Sequence, residues 1–281
     1  MGSLTAAAVS DRVGERRELA AAVAAVRSRV GLVILLLALA GAAWWSTVDR
    51  MVGMDGGPGT DLGTLGWFLG VWIVMMAAMM FPSLAPTTAL YARMTRRRGW
   101  SRPLLFSAAY LLVWGAAGLV AYGLFRIGRN ALGGELAWRA GGRWVAGGVL
   151  AIAAVYELTP LKEVCLGKCR SPLGFLLGAW REGNRGALEM GSRHAAWCLG
   201  CCWALMAGLF ALGVMSITWM ALIAALITLE KTIPWRRAAT WSTAAVLIAL
   251  AITVIAVPND VPGLVIPGRG VDAMHSMNSM R

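Results

Sequence analysis

Charge is scarce in this chain: only 14% of its 281 residues are Asp, Glu, Lys or Arg, whereas 58% are hydrophobic. No long polar half is left over to fold as a second, soluble domain, so the composition points to one polytopic membrane domain. The signatures of ordinary soluble catalysis are missing too. No dinucleotide fingerprint, phosphate loop, HExxH pair or GxSxG elbow stands where its structural context would let it work. This argues against an enzyme of those classes, and also against a nucleotide-driven pump. The basic N-terminal stretch DRVGERRELAAAVAAVRSRV lacks the compact form of a cleaved signal peptide, so the first apolar run is expected to stay as an anchor.

What the chain does have is uncharged runs. A helix needs roughly 20 apolar residues to cross the hydrocarbon, and its backbone groups must be satisfied within the helix. Five runs qualify: Val30 to Val48, Leu62 to Ala92, Pro103 to Phe125, His194 to Leu229, and Ala238 to Asn259. The fourth is long enough for two short helices, with Gly213 and Ser216 offering the break. A weaker candidate lies around Trp144 to Leu161 and reads equally as a re-entrant segment. The expected fold is therefore all-α, a transmembrane helical bundle of about seven spans, six if the weak one does not cross.

Basic residues orient it. With the N-terminus inside and seven spans, the inner segments hold 19 Lys and Arg and the outer ones 7, as the positive-inside rule asks. Much of the net charge of +12 is then a topology signal, with some attraction to anionic headgroups, and it does not call for nucleic acid. The expected organisation is a basic cytoplasmic arm over 1–29, a membrane domain over 30–257 and an extracytoplasmic tail over 258–281.

All five cysteines fall between Cys165 and Cys202, where packing use alone would scatter them. On a helix, His194, Cys198, Cys201 and Cys202 share an arc of about 100°. VCLGKCR adds Cys165 and Cys169 in what reads as a loop at the same membrane face, between the breaker Pro160 and Ser171-Pro172. The next stretch, SPLGFLLGAWREGNRGALEMGSRH, has an apolar and then a charged half, which suggests a helix lying along the inner surface or dipping into it. Thiolate and imidazole donors suit Cu(I) or Zn(II), and a cytoplasmic face keeps thiols reduced. Against this stands plain packing of small cysteines between helices, with His194 at the interface.

Methionine gives a second pattern. Met75, Met76, Met79 and Met80 in WFLGVWIVMMAAMMFPS occupy an arc of about 140° on the second span. Thioethers bind Cu(I) without deprotonation, although an apolar stripe is also what any buried helix shows. Outside the membrane, Met51 and Met54 occupy the first outer loop, and the tail VDAMHSMNSMR carries Met274, His275, Met277 and Met280 at spacings that would wrap one soft ion. Glu157 and Glu230 each end an apolar helix on the inner side, where a carboxylate is costly unless paired or functional. Lys162 lies within reach of Glu157, and Lys231 follows Glu230; either carboxylate is also a possible oxygen ligand or proton acceptor.

Several separated motifs, WxxMMAAMMFPS, CLGKCRSPLGF, WREG, HAAWCLGCCWALM and EKTIPW, together resemble a bacterial family of predicted metal-binding integral membrane proteins of unknown function. The similarity runs from about Leu62 to Trp241. It implies a multi-span protein of the bacterial cytoplasmic membrane, with Met75, Met76, Met79, Met80, Cys165, Cys169, His194, Cys198, Cys201 and Cys202 as metal ligands, joined by Glu230. The leading expectation is binding, with transport, storage or delivery, of a soft ion, Cu(I) foremost and Zn or Fe as alternatives. Its expected partners are the bilayer, the ion, and another membrane protein or a second copy of the chain. Two other readings stay open: a thiol–disulfide oxidoreductase coupled to a membrane quinone, and a non-catalytic assembly subunit.

Overall fold

The computed structural model describes residues 20–264, except 22, 25, 28, 52–61, 96–99, 133–140, 179, 215, 234, 259–260 and 262–263. Met54, Met274, His275, Met277 and Met280 lie outside the described residues, as do most of the N-terminal arm and of the tail.

From Val30 to Ala256 the described chain forms nine helices and no strand. They are α1 (Val30–Met51), α2 (Leu65–Met94), α3 (Ser101–Leu132), α4 (Arg143–Glu157), α5 (Pro160–Arg170), α6 (Pro172–Gly178), α7 (Gly183–Leu212), α8 (Ile217–Thr232) and α9 (Arg236–Ala256). Five of them, α1, α2, α3, α7 and α9, are long and apolar enough to cross a membrane by length and composition, and α4 with α5 makes a sixth candidate bent by 68°. The 16 residues of α8 are shorter than that length. The expected break after α7 falls at Gly213, whose φ of +115° is in the region that favours glycine.

Two sequence expectations are corrected here. Cys165 and Cys169 are not in a loop: both lie on α5. Pro160 starts that helix instead of breaking one, because its fixed φ suits the first helical position and the Thr159 hydroxyl accepts from the Lys162 N–H. The segment from Ser171 to His194 is not one surface helix. It splits into the short α6 and, after Glu182, the first turns of α7, which carries its charged residues straight on into the apolar cysteine-bearing part.

Helices α2 and α7 are the most buried of the five long ones. α1 lies on α2, α2 on α3, and α3 along α7; α4 and α5 pack on the opposite flank of α7, and α9 covers α4. The outer surfaces are apolar, with Ile34, Leu112, Leu119, Leu124, Ile152 and Ile252 all exposed. Close approach of α3 and α7 depends on Gly191, where an added Cβ would overlap the Phe106 carbonyl. Gly191→Ala is therefore expected to lower stability by about 1–3 kcal/mol, read as an earlier thermal midpoint in detergent, because helix backbones have to separate rather than a side chain rotate.

Candidate metal centre

Helix α7 presents Cys198, Cys201 and Cys202 from one stretch, and α5 crosses it so that Cys169 joins them from outside. The sulfurs of Cys169, Cys198 and Cys201 all lie within 4.8 Å of one another, and all three residues are buried. Cys202 Sγ sits 3.4 Å from Cys201 Sγ. None of the five cysteines is in a disulfide. Cys165, one turn before Cys169, is directed elsewhere: its sulfur packs against Gly200, where a Cβ would come within 2.8 Å of it. Of the expected cysteine ligands, the structure thus gathers four and leaves Cys165 as a packing residue against α7.

From the opposite side α2 supplies a thioether. Met80 Sδ is 4.0 Å from Cys198 Sγ. Met75 and Met76 are buried in the core about a turn earlier. Met79, also buried, lines an apolar cleft with Trp44, Pro82, Ala224 and Thr228. Met80 and Met79 therefore meet different surroundings, the one a cysteine sulfur and the other the cleft. Met80→Leu, which keeps the volume and removes the sulfur, is expected to weaken binding of a soft metal ion by about tenfold, whereas Met79→Leu leaves it near the unmodified value, as measured by competition with a chromophoric chelator of that ion. Met51 is buried at the end of α1, a core position and not a solvated one.

His194 shares the α7 face with Cys198, as its spacing requires, but it stands apart from the cysteine group. Its ring is enclosed by Phe106, Tyr110 and Phe175 at centroid distances of 6.0, 6.0 and 5.0 Å. Its Nδ1 is buried with no hydrogen-bond partner. An unmatched buried nitrogen is costly, so His194 Nδ1 has a hydrogen bond or a ligand to gain, as do the buried indole nitrogens of Trp114 and Trp219.

Three residues that the sequence did not single out as part of the site complete it. Lys231, from the last turn of α8, brings its Nζ to 3.1 Å from Cys198 Sγ and 3.2 Å from Ser83 Oγ. The Tyr110 hydroxyl from α3 is 2.9 Å from Cys198 Sγ. The signals were present, a lysine in the last turn of an apolar helix and a tyrosine inside an apolar run, but only the tertiary arrangement says which group they face.

Beneath the cluster lies a second buried polar set. Lys162 is fully buried and pairs with Glu157 at 2.7 Å and with Glu230 at 2.8 Å. It also donates to the Cys201 carbonyl at 2.6 Å. The expected Glu157–Lys162 pair is present, but Glu230 turns to Lys162 and not to its neighbour Lys231, and it is not among the residues grouped around the cysteine sulfurs. Burying two carboxylates with one ammonium is tolerable only because the ion pairs are close, and Glu230 Oε1, and Glu157 Oε2 beyond its ion pair, still lack a hydrogen-bond partner. The set ties α4, α5, α7 and α8 together at the level of the cysteines.

Three thiols, a thioether and no carboxylate in the sulfur group make a donor set for a soft ion such as copper and a poor one for magnesium or calcium. No curated protein and no solved structure matches the chain. A family described as PpoB2, copper chaperone, matches residues 69–254, a stretch that holds every residue of the sulfur group, Lys231 and the Glu157–Lys162–Glu230 set. That match covers well over half of the 281 residues and agrees with the metal-binding character of the site, so the chain belongs to the copper chaperone family PpoB2.

Proposed function

We propose that the protein binds Cu(I) inside a membrane-embedded helical bundle and hands it on, as a carrier or delivery factor rather than an enzyme. The observation that carries this reading is the convergence of Cys169, Cys198 and Cys201 from two helices, with the Met80 thioether behind Cys198. Two or three thiolates and a thioether match the low coordination number and softness of Cu(I). Placement on the buried faces of α2, α5 and α7 keeps water and oxidants from the ion.

Embedding in a bilayer is part of the same proposal. Five helices have the length and hydropathy to cross, and their outward faces carry large apolar side chains that water would penalise. With the N-terminus inside, the positive-inside rule puts the N-terminal end of α7, with Arg185 and Arg193, at the cytoplasmic face of a bacterial inner membrane. The cysteines then lie one to two turns in from that face, where the reduced cytosol maintains thiols. Reaching seven crossings requires the bent α4–α5 pair and the short α8 to complete the bundle.

The test is elemental analysis of the full-length protein purified anaerobically in detergent. Close to one copper per chain, retained through gel filtration and removed by a Cu(I) chelator, is the expected result. No bound metal, together with thiols that oxidise pairwise, would reject the copper reading and favour thiol–disulfide exchange.

A further inference from the structure

Lys231 is an unusual neighbour for a cation-binding cluster. Its Nζ lies 3.1 Å from Cys198 Sγ, 3.2 Å from Ser83 Oγ and 3.9 Å from Met80 Sδ, so an ammonium borders the ground the ion is to occupy. Among the described residues no carboxylate lies within ion-pair distance of it; the adjacent Glu230 is committed to Lys162. The counter-charge closest to Lys231 is therefore sulfur.

The position is fixed from both sides. Arg170, at the end of α5, donates to the carbonyls of Glu230 and Ile233, which closes the C-terminal end of α8. The Glu230 side chain is held by Lys162, also on α5. These contacts hold the end of α8 that carries Lys231, and the ammonium itself rests on Ser83 Oγ and Cys198 Sγ, so a positive charge borders the cluster.

We propose that Lys231 is a charge filter, a residue that sets specificity by favouring monovalent over divalent soft ions in the cysteine cluster. The proposal rests on the Cu(I)-binding reading above and deepens it. A fixed unit charge repels a divalent ion twice as strongly as a monovalent one at the same place. The thiolates attract both ions from the same positions, so the effect of the lysine appears in the ratio of the two affinities. A copper–thiolate unit with two or three sulfurs is also anionic, and the ammonium offsets that charge, whereas a divalent ion on the same sulfurs has less need of it. Removing the lysine charge should raise divalent relative to monovalent binding by at least about tenfold, even after solvent screening of a partly buried group.

The experiment uses the full-length protein in detergent under anaerobic conditions. Cu(I) affinity is read by chelator competition, and Cd(II) affinity by the thiolate charge-transfer absorption. The chains compared are the unmodified protein, Lys231→Gln, which removes the charge without adding a sulfur donor, and Lys231→Arg, which keeps the charge; Lys231→Leu replaces the Gln variant if that one does not fold. The expected result is a Cd(II)-to-Cu(I) affinity ratio that rises at least about tenfold in the neutral variant and stays near the original in Lys231→Arg. A neutral variant that still binds Cu(I) with an unchanged ratio overturns the charge filter and leaves the copper site standing. An unmodified protein that binds no Cu(I) through its cysteines overturns the copper site itself, and the filter with it.

Discussion

If the protein binds Cu(I) as proposed, Cys198→Ser is expected to weaken that binding by at least about a hundredfold, while Cys165→Ser leaves it close to the unmodified value; losing an outer partner of a metal ligand already costs about 10–100-fold, and Cys198 is proposed as a ligand itself. It is the sulfur where the site converges. Met80, Lys231 and Tyr110 all approach it, at 4.0, 3.1 and 2.9 Å, and it belongs to the group of three sulfurs within 4.8 Å. Serine keeps the size and a polar terminus, so the fold should survive and the loss should be one of softness. Cys165 is the matched control: it is buried, lies on the same helix as Cys169 and packs on Gly200, yet is outside the sulfur group. Competition with a Cu(I) chelator on the two variants, with gel filtration to confirm folding, separates them. Equal losses for both would mean that sulfur count, not geometry, governs binding.

The contrast between those two cysteines also shows where sequence reading stops. The apolar runs announced the long helices, since uncharged length is a strong and local signal, but not the charged first turns of α7, which begins at Gly183 and not at His194, or the end of α3, which runs on past Phe125 to Leu132. The break at Gly213 was legible for the same reason, as was the common face of His194, Cys198 and Cys201, which follows from helical periodicity. PLKEVCLGKCR was harder. Four charged residues and a glycine between two cysteines in 11 residues look like a loop, and the helix exists because Thr159 and Pro160 start it and because Lys162, Cys165 and Cys169 all find buried partners on α7 and α8. Periodicity likewise put four methionines on one arc, but it does not say which neighbour each part of the arc meets. Met80 meets Cys198 and Lys231, while Met79, the residue before it, faces the apolar cleft. The exchange of partners between Glu230 and Lys231 was illegible for the same reason. Two adjacent residues at a helix end look like an interfacial pair, whereas the fold sends one to Lys162 and the other to sulfur.

Lys162→Met should be the most damaging single change to the fold, at about 3–5 kcal/mol, because it removes the cation from a buried set and leaves the carboxylates uncompensated. Glu157 and Glu230 are buried at 2% and 1% exposure, so water cannot take over the role of the ammonium. The damage should extend to the metal site. Lys162 also holds the Cys201 carbonyl, and Glu230 positions the α8 end that carries Lys231. Thermal unfolding in detergent, followed by tryptophan fluorescence, reads the loss. The companion variant Glu157→Gln/Lys162→Met/Glu230→Gln makes the cause plain. With every charge of the set removed, burial no longer opposes folding, and a large part of the lost stability should return, since a neutral replacement of a buried ionic group is far less costly than a broken one. Recovery of the fold without recovery of Cu(I) affinity would mean that the ionic set positions the cysteines as well as joining the helices. A Lys162→Met chain as stable as the unmodified protein would instead show that the two carboxylates take up protons on losing the lysine, and that the set is not what fastens α4, α5, α7 and α8 together.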